Sequence, residues 1–451
     1  MQKFHTVRGG IAALSALLLL LIFTVTAFAD ETMQGLTETN VPHSENAAAA
    51  AVYNLENDML VYSHNVDAVL PTASFTKMMT AVCAYELLAD RLDEKVTVEY
   101  SMIKDATGNQ VGYYVGESVS VCDMFGGLLL RGANDSAYLL CYAAKGSVSD
   151  FVAYMNEKAQ TLGMASTVYK NPTGMDAEGM VTSAADSITI AKEFYAIEFL
   201  TSLSGAVQYS MPATERSSTR IIYNRNALVS KVSETGYFDS RILGINAGST
   251  TSAGYYAASA VASEELRYII VVLGGKEVDG KNTAYQLTSE LATYALTQYG
   301  YTEVIKTTGI VCEVPVRLST DADYVTLVPA ASLTLYLPAS VDPKTDLTYS
   351  YRLEKETLDA PVTEGQVVGT YSVSRDGEIL GSVELVTKNS LSRSEFLVVL
   401  DRIEQFTTST FFIVTVLAAV VLTILYFIIG AIVRASRRRR GHMHTRRIRR
   451  R

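Results

Sequence analysis

The sequence predicts an α/β (α+β) domain, an antiparallel sheet flanked by a helical cluster, followed by a small all-β domain and a C-terminal transmembrane helix. Three observations predict it. Strand-like runs stand at both ends of residues 46–300, with helical periodicities between them. From about Tyr301 the runs become short and alternating. Phe411–Val433 is 23 residues long and carries no charge. A helix of that length spans about 34 Å, enough for a hydrocarbon core of about 30 Å.

The elements follow in order. Lys3 and Arg8, the apolar run Ile11–Phe23 and the small residues of Ala27-Phe28-Ala29 read as a signal peptide over residues 1–29, with the mature chain starting at Asp30. Residues 30–45 are polar and read as a linker. Ala48–Tyr53 and Met59–Tyr62 flank Asn57-Asp58, a hairpin signal. Ser74–Leu88 has helical periodicity, with Met78, Val82 and Tyr85 on one stripe. Val121–Leu130, Ser136–Ala144 and Phe151–Leu162 read as helices, and Gly254–Val261 and Leu266–Leu273 as adjacent strands. The β domain covers residues 301–392. Its strands read as Ile310–Leu318, Tyr324–Val328, Ser332–Leu337, Leu347–Leu353, Gly369–Val373 and Ile379–Leu385, the last two joined at Asp376-Gly377. A connector over 393–410 leads to the span at 411–433 and an Arg-rich tail at 434–451. Arginines directly after a span favour the cytoplasmic side, so the body would lie outside the cytoplasm at the cell membrane, held by a single pass.

Charge divides the chain. Residues 30–410 hold 26 basic and 47 acidic residues, while the last 41 hold ten Arg and no acid. So acidic a body argues against nucleic-acid binding through bulk charge, and no specific nucleic-acid partner is expected. The lipid partner is the bilayer around 411–433, with anionic head groups within reach of the tail. Cys83, Cys122, Cys141 and Cys312 each sit in an apolar stretch and read as small core residues rather than a disulfide framework. Only His43 and His64 fall in the body, so a Ser-His-Asp triad or a zinc site is starved of residues. A hydrolase built here would take Lys or a carboxylate as its base.

Ser74-Phe75-Thr76-Lys77 fits that requirement. One helical turn places Ser Oγ and Lys Nζ on one face, at a helix N-terminus that favours a developing oxyanion. A desolvated Lys loses enough basicity to take the Ser proton. Spacing alone is weak, because Ser101-Met102-Ile103-Lys104 shares it and reads as surface.

Pro71–Ala81 resembles the nucleophile helix of the serine-type D-alanyl-D-alanine carboxypeptidases, the low-molecular-weight penicillin-binding proteins. Further stretches are similar in the same order: Gly108–Gly116 with Leu128–Asp135; Asn156–Ala159, Leu162–Met164 and Asn171–Met175; Gly244–Tyr255 as the final active-site strand; and Pro361–Gly369 in the second domain. The resemblance covers residues 46–390. It implies a penicillin-binding transpeptidase/β-lactamase-like fold and action on peptidoglycan stem peptides. It implies Ser74 as nucleophile, Lys77 as base, and β-lactams as ligands if Ser74 is active. Acyl-serine chemistry of this kind calls for no cofactor and no metal.

The resemblance breaks at two of three motifs. Gly132-Ala133-Asn134 stands in place of Ser-x-Asn. By resemblance Asn134 binds substrate, but Gly132 lacks the hydroxyl that relays a proton. Asn246-Ala247-Gly248 stands in place of Lys-Thr-Gly, so Asn246 and Gly248 occupy substrate-binding positions without the Lys charge or the Thr hydroxyl. Ser249 and Thr250 are candidates to replace the hydroxyl, and Arg241 is a distant candidate for the cation. One positioned donor contributes about 10²–10³ in rate, and one acid–base group about 10²–10⁴. Three readings follow: a carboxypeptidase of reduced or lost activity, a silent cell-wall-binding scaffold, or a Ser/Lys hydrolase of another substrate.

Overall fold

The computed structural model describes residues 44–232 and 236–448, with side chains through residue 437. The signal peptide and all but the last two residues of the linker lie outside the described residues. The chain divides into two compact units between Gly300 and Tyr301.

In the first unit, strands β1 (Ala49–Asn54) and β2 (Met59–His64) form the expected hairpin, turning through Asp58 at φ +49°. The main helices of the cluster are α1 (Thr76–Leu88), α2 (Asn134–Lys145), α3 (Val148–Thr161) and α4 (Ala184–Ala196). Strands β3 (Ile242–Thr250), β4 (Gly254–Ala262) and β5 (Arg267–Gly275) complete a five-stranded antiparallel sheet in the order β2-β1-β5-β4-β3. The N-terminal strand thus sits in mid-sheet, Val52 opposite Ile270, and β3 takes an edge. Helix α5 (Thr283–Thr297) packs across β4 and β5, and α4 across β1 and β5.

Two sequence readings need correction. Helix α1 is buried on nearly every side, Met78, Met79, Ala81, Val82, Cys83 and Ala84 included, while Tyr85 is only half-buried. It contacts α2, α3 and α4 together, so no single stripe describes it. Gly244–Tyr255 is not one strand: it is the end of β3, a turn at Thr251–Ala253 and the start of β4, with Gly254 at φ +77°. The four cysteines are unpaired; Cys83 and Cys141 lie in the core, whereas Cys122 and Cys312 are only half-buried.

In the second unit, β6 (Cys312–Arg317), β7 (Tyr324–Pro329), β8 (Thr348–Leu353), β9 (Leu358–Asp359), β10 (Val367–Arg375) and β11 (Glu378–Thr387) form a sheet ordered β8-β10-β11-β7-β6-β9. The connector is the helix α6 (Glu395–Thr408). It docks on the β domain through buried Val398 and an Arg317–Asp401 ion pair, and its opposite face leaves Phe396, Leu400 and Ile403 exposed. Helix α7 (Thr410–Ile448) includes the one segment among the described residues long and apolar enough to cross a membrane, Thr410–Arg437, whose most apolar 18-residue stretch has a mean hydropathy of 2.9.

Candidate active site

Ser74 sits in a one-turn 3-10 helix, Ala73–Phe75, that runs directly into α1. Ala73 has φ +42°, a conformation an L-residue adopts only when its surroundings enforce it. The enforcing contacts come from β4: Tyr256 Oη donates to the Pro71 carbonyl at 2.6 Å, and its ring meets Phe75 edge-on at 5.1 Å. Strand β3 closes the other side. A Cβ on Gly248 would stand 2.6 Å from Ser74 Oγ, so only glycine lets this strand pass so near the nucleophile.

Lys77 is 4% exposed, and its Nζ donates to the Thr173 carbonyl at 2.5 Å. The loop bearing that carbonyl is fixed. Asn171 Oδ1 accepts from Thr173 N, Thr173 Oγ1 and Gly174 N, and Thr80 Oγ1 donates to the Pro172 carbonyl at 2.7 Å. Burial alone pulls Lys77 from the ordinary 10.5 to about 7. A base of this pKa is half neutral near pH 7. Acylation of Ser74 is therefore expected to rise about tenfold per pH unit below 7 and level off above it. Stopped-flow acylation by a chromogenic β-lactam between pH 5 and 9 checks this, and a flat profile excludes Lys77 as the base.

Ser74 and Lys77 open into a cleft of about 440 Å³ between β3 and residues 129–132. Gly132, Asn246, Ala247, Gly248 and Ser249 line it, so the structure brings the altered motifs to the nucleophile. Asn246 is 8% exposed, and its Oδ1 has no partner among the described residues. Gly132 has φ +67°, and a Cβ there would meet only Asn109 Nδ2, at an ordinary 3.8 Å contact.

The other expected residues fall elsewhere. Asn134 is buried and is not among the residues that line the cleft. Its Nδ2 donates to the Thr107 carbonyl at 2.5 Å, and its Oδ1 has no partner among the described residues. Thr250 donates to Asp176 at 3.0 Å, outside the cleft. Arg241 pairs with Asp239 and with Thr293 Oγ1, also outside it. Ser101 and Lys104 are exposed.

Sequence reasoning missed two cations. Arg131 and Arg225 both line the cleft. Arg131 Nε donates to the Gln110 carbonyl at 2.8 Å, and Arg225 Nη1 donates to Asn109 Oδ1. The loop supplying both acceptors is held by Asp135, whose carboxylate accepts from Val111 N and Gly112 N. Arg131 stood within the quoted Leu128–Asp135 stretch, but Arg225 had no signal beyond its place in Asn224-Arg225-Asn226. Among the described residues the cleft lining contains no acid. The site thus couples a weakly basic buried amine, a serine and a positive far wall, which suits acyl transfer from a substrate ending in a carboxylate.

Comparison with known proteins bears on the same residues. The family model for D-alanyl-D-alanine carboxypeptidase matches residues 36–277, and that for the C-terminal domain of penicillin-binding protein 5 matches residues 297–393. D-alanyl-D-alanine carboxypeptidase DacF of Bacillus subtilis is 28% identical over 390 residues, covering 85% of this chain and 95% of its own. DacC of Escherichia coli is 27% identical over 414 residues, covering 88% and 95%. In fold, penicillin-binding protein 5 of Haemophilus influenzae superposes with a TM-score of 0.56 at 21% identity, over 80% of this chain and all of that one. With a family model spanning more than half its length, the chain belongs to the D-alanyl-D-alanine carboxypeptidase family, the low-molecular-weight penicillin-binding proteins.

Proposed function

We propose that the protein is a membrane-anchored, extracytoplasmic D-alanyl-D-alanine carboxypeptidase of reduced rate, acting on peptidoglycan stem peptides through an acyl-Ser74 intermediate. The observation that carries the reading is Lys77, buried without an ion-pair partner among the described residues, one helical turn from Ser74, and brought to about 7. Ser74 Oγ attacks the carbonyl of the terminal peptide bond while neutral Lys77 takes its proton. The bond to the terminal residue breaks, and its nitrogen receives that proton. Gly132 offers no hydroxyl relay, so Lys77 itself must return the proton, over a longer path. Water then releases the acyl group, with Lys77 again the base. Arg225 and Arg131 supply the positive wall that Asn246 does not. The test is the mass of the full-length protein after incubation with benzylpenicillin. One drug molecule per chain sustains the reading, and no adduct at high drug over hours overturns it.

One observation favours the silent-scaffold reading: Asn134 points its amide at Thr107 rather than into the cleft. Labelling separates the two readings. Anchoring by the span, with the tail in the cytoplasm, draws support from α7 and from the apolar stripe of α6 that adjoins it. Full-length protein is expected in the membrane fraction, resistant to high salt, and a chain ending at residue 409 is expected to lose that resistance. Full-length protein in the soluble fraction would refute anchoring.

A further inference from the structure

The far wall of the cleft stands on two segments outside the main sheet. One is the loop from Asn109 to Glu117. The other is a hairpin, Gln208–Met211 with Arg220–Tyr223, which pairs with no further strand among the described residues and runs straight into Asn224 and Arg225. A lone two-stranded hairpin is marginally stable at best in water, so its ties to the rest of the unit decide where it lies. Its inner face buries Met211 and Ile222, and its outer face leaves Ile221 and Tyr223 exposed.

The densest tie lies beside the hairpin turn. Glu117 is 0% exposed. Its carboxylate accepts from Arg220 Nη1 at 2.5 Å and Nη2 at 2.9 Å, from Thr214 Oγ1 at 2.9 Å and from Tyr114 N at 2.9 Å. The Arg220 guanidinium also stands 5.7 Å from the ring centre of Tyr113 and 5.9 Å from that of Tyr114. Tyr113 Oη in turn meets Ser136 Oγ of α2 at 3.0 Å. A two-bond fork fixes orientation as well as distance, and a buried carboxylate is tolerated only with its bonds made. At the cleft end the same two segments meet again. Arg225 Nη1 donates to Asn109 Oδ1, and Arg225 N donates to the Leu130 carbonyl at 2.9 Å. Loop and hairpin thus form a frame pinned at both ends, and Arg225 lines the cleft from it. Neither Glu117 nor Arg220 lines the cleft.

We propose that Glu117 and Arg220 are positioning residues for substrate recognition: by pinning the turn end of the hairpin, they hold the Arg225 guanidinium where the substrate's terminal carboxylate is received. The inference rests on the reading of Arg131 and Arg225 as the positive wall of the site. Without the pair, the hairpin keeps its apolar inner face but loses the bonds that set its angle to the loop. The Arg225 charge then meets the carboxylate at no fixed distance, and the preference for a charged terminus weakens.

Equilibrium binding to full-length Ser74→Ala protein in detergent micelles tests this without turnover. The probes are Nα-acetyl-D-Ala-D-Ala and its C-terminal amide, which differ by the one terminal charge. The acid is expected to bind about tenfold more tightly. Adding Glu117→Gln and Arg220→Met removes both buried charges together, so neither is left unpaired, and the preference is expected to fall to about threefold or less. Arg225→Ala brings it to the same level, with Arg131 supplying what remains, and all these substitutions together lower it no further. Arg220→Lys keeps the charge but not the fork and gives an intermediate preference. The readout is a ratio of two affinities of one protein, so a smaller folded fraction leaves it unchanged. A preference that survives loss of the pair, one that is absent before any of these changes, or a further drop when the pair and Arg225 are changed together overturns the proposal. Failure of the catalytic reading looks different: no benzylpenicillin adduct on the unmutated protein, while the acid is still preferred and the preference still depends on Glu117 and Arg220.

Discussion

Full-length protein incubated with benzylpenicillin is expected to gain the mass of one whole drug molecule, and the Ser74→Ala variant to gain none. The whole mass is retained because the β-lactam amide is cyclic. Ser74 Oγ bonds to the lactam carbonyl, the ring C–N bond breaks, and the proton moves by way of Lys77 to a nitrogen still tethered to the adduct. Removing the nucleophile of such a pair lowers rate by on the order of 10⁴ or more. The substitution deletes one oxygen from a half-buried side chain, so the far-ultraviolet dichroism and melting temperature are expected to stay close to those of the unmutated protein. An adduct that persists on the variant would place the nucleophile elsewhere and remove Ser74 from the mechanism.

The second large effect is a gain. Gly132→Ser, Asn246→Lys and Ala247→Thr together restore the family motif pattern. They are expected to speed acylation by about 10²–10⁴, less than the product of the separate contributions because these groups act as a unit. The geometry admits each side chain at a cost. Position 132 has room for a Cβ but holds φ +67°, which costs an L-residue about 1–2 kcal/mol. Position 246 is buried, so a lysine there brings a second amine into the neighbourhood of Lys77. Thermal stability is therefore expected to fall as rate rises. Benzylpenicillin acylation rates of the triple variant and the unmutated protein give the ratio. No increase would mean that the altered motifs do not limit the reaction, and would favour a substrate unlike that of the family.

Much of the fold was legible because local rules set it. The hairpin at Asn57-Asp58, the helices after Ser120 and the alternating strands beyond Tyr301 carry their signals within ten residues of chain. The insertion of β1 between β2 and β5 was not legible, since Val52 meets Ile270 across more than two hundred residues. Ser74 and Lys77 were readable because their chemistry depends on one turn of helix. Arg225 was not, because it reaches the cleft only through tertiary placement of the segment before β3. Asn134 shows the converse. Its motif position was visible, yet its amide direction is decided by the carbonyl of Thr107, which a one-dimensional pattern cannot place against it.

Lys77 also has a meaning for folding. In the unfolded chain it titrates near 10.5, and in the folded protein at about 7. The native state therefore loses ground to the unfolded one as pH falls from 10.5 to 7, after which the loss stays constant. At neutral pH the deficit is roughly 3–5 kcal/mol, a large share of the 5–15 kcal/mol by which domains are usually stable. The rest of the unit must offset it through the apolar packing that surrounds α1 on nearly every side. A lineage that no longer needed the amine would gain stability by replacing it with an apolar residue of similar length, so its presence here is a continuing thermodynamic burden on the fold.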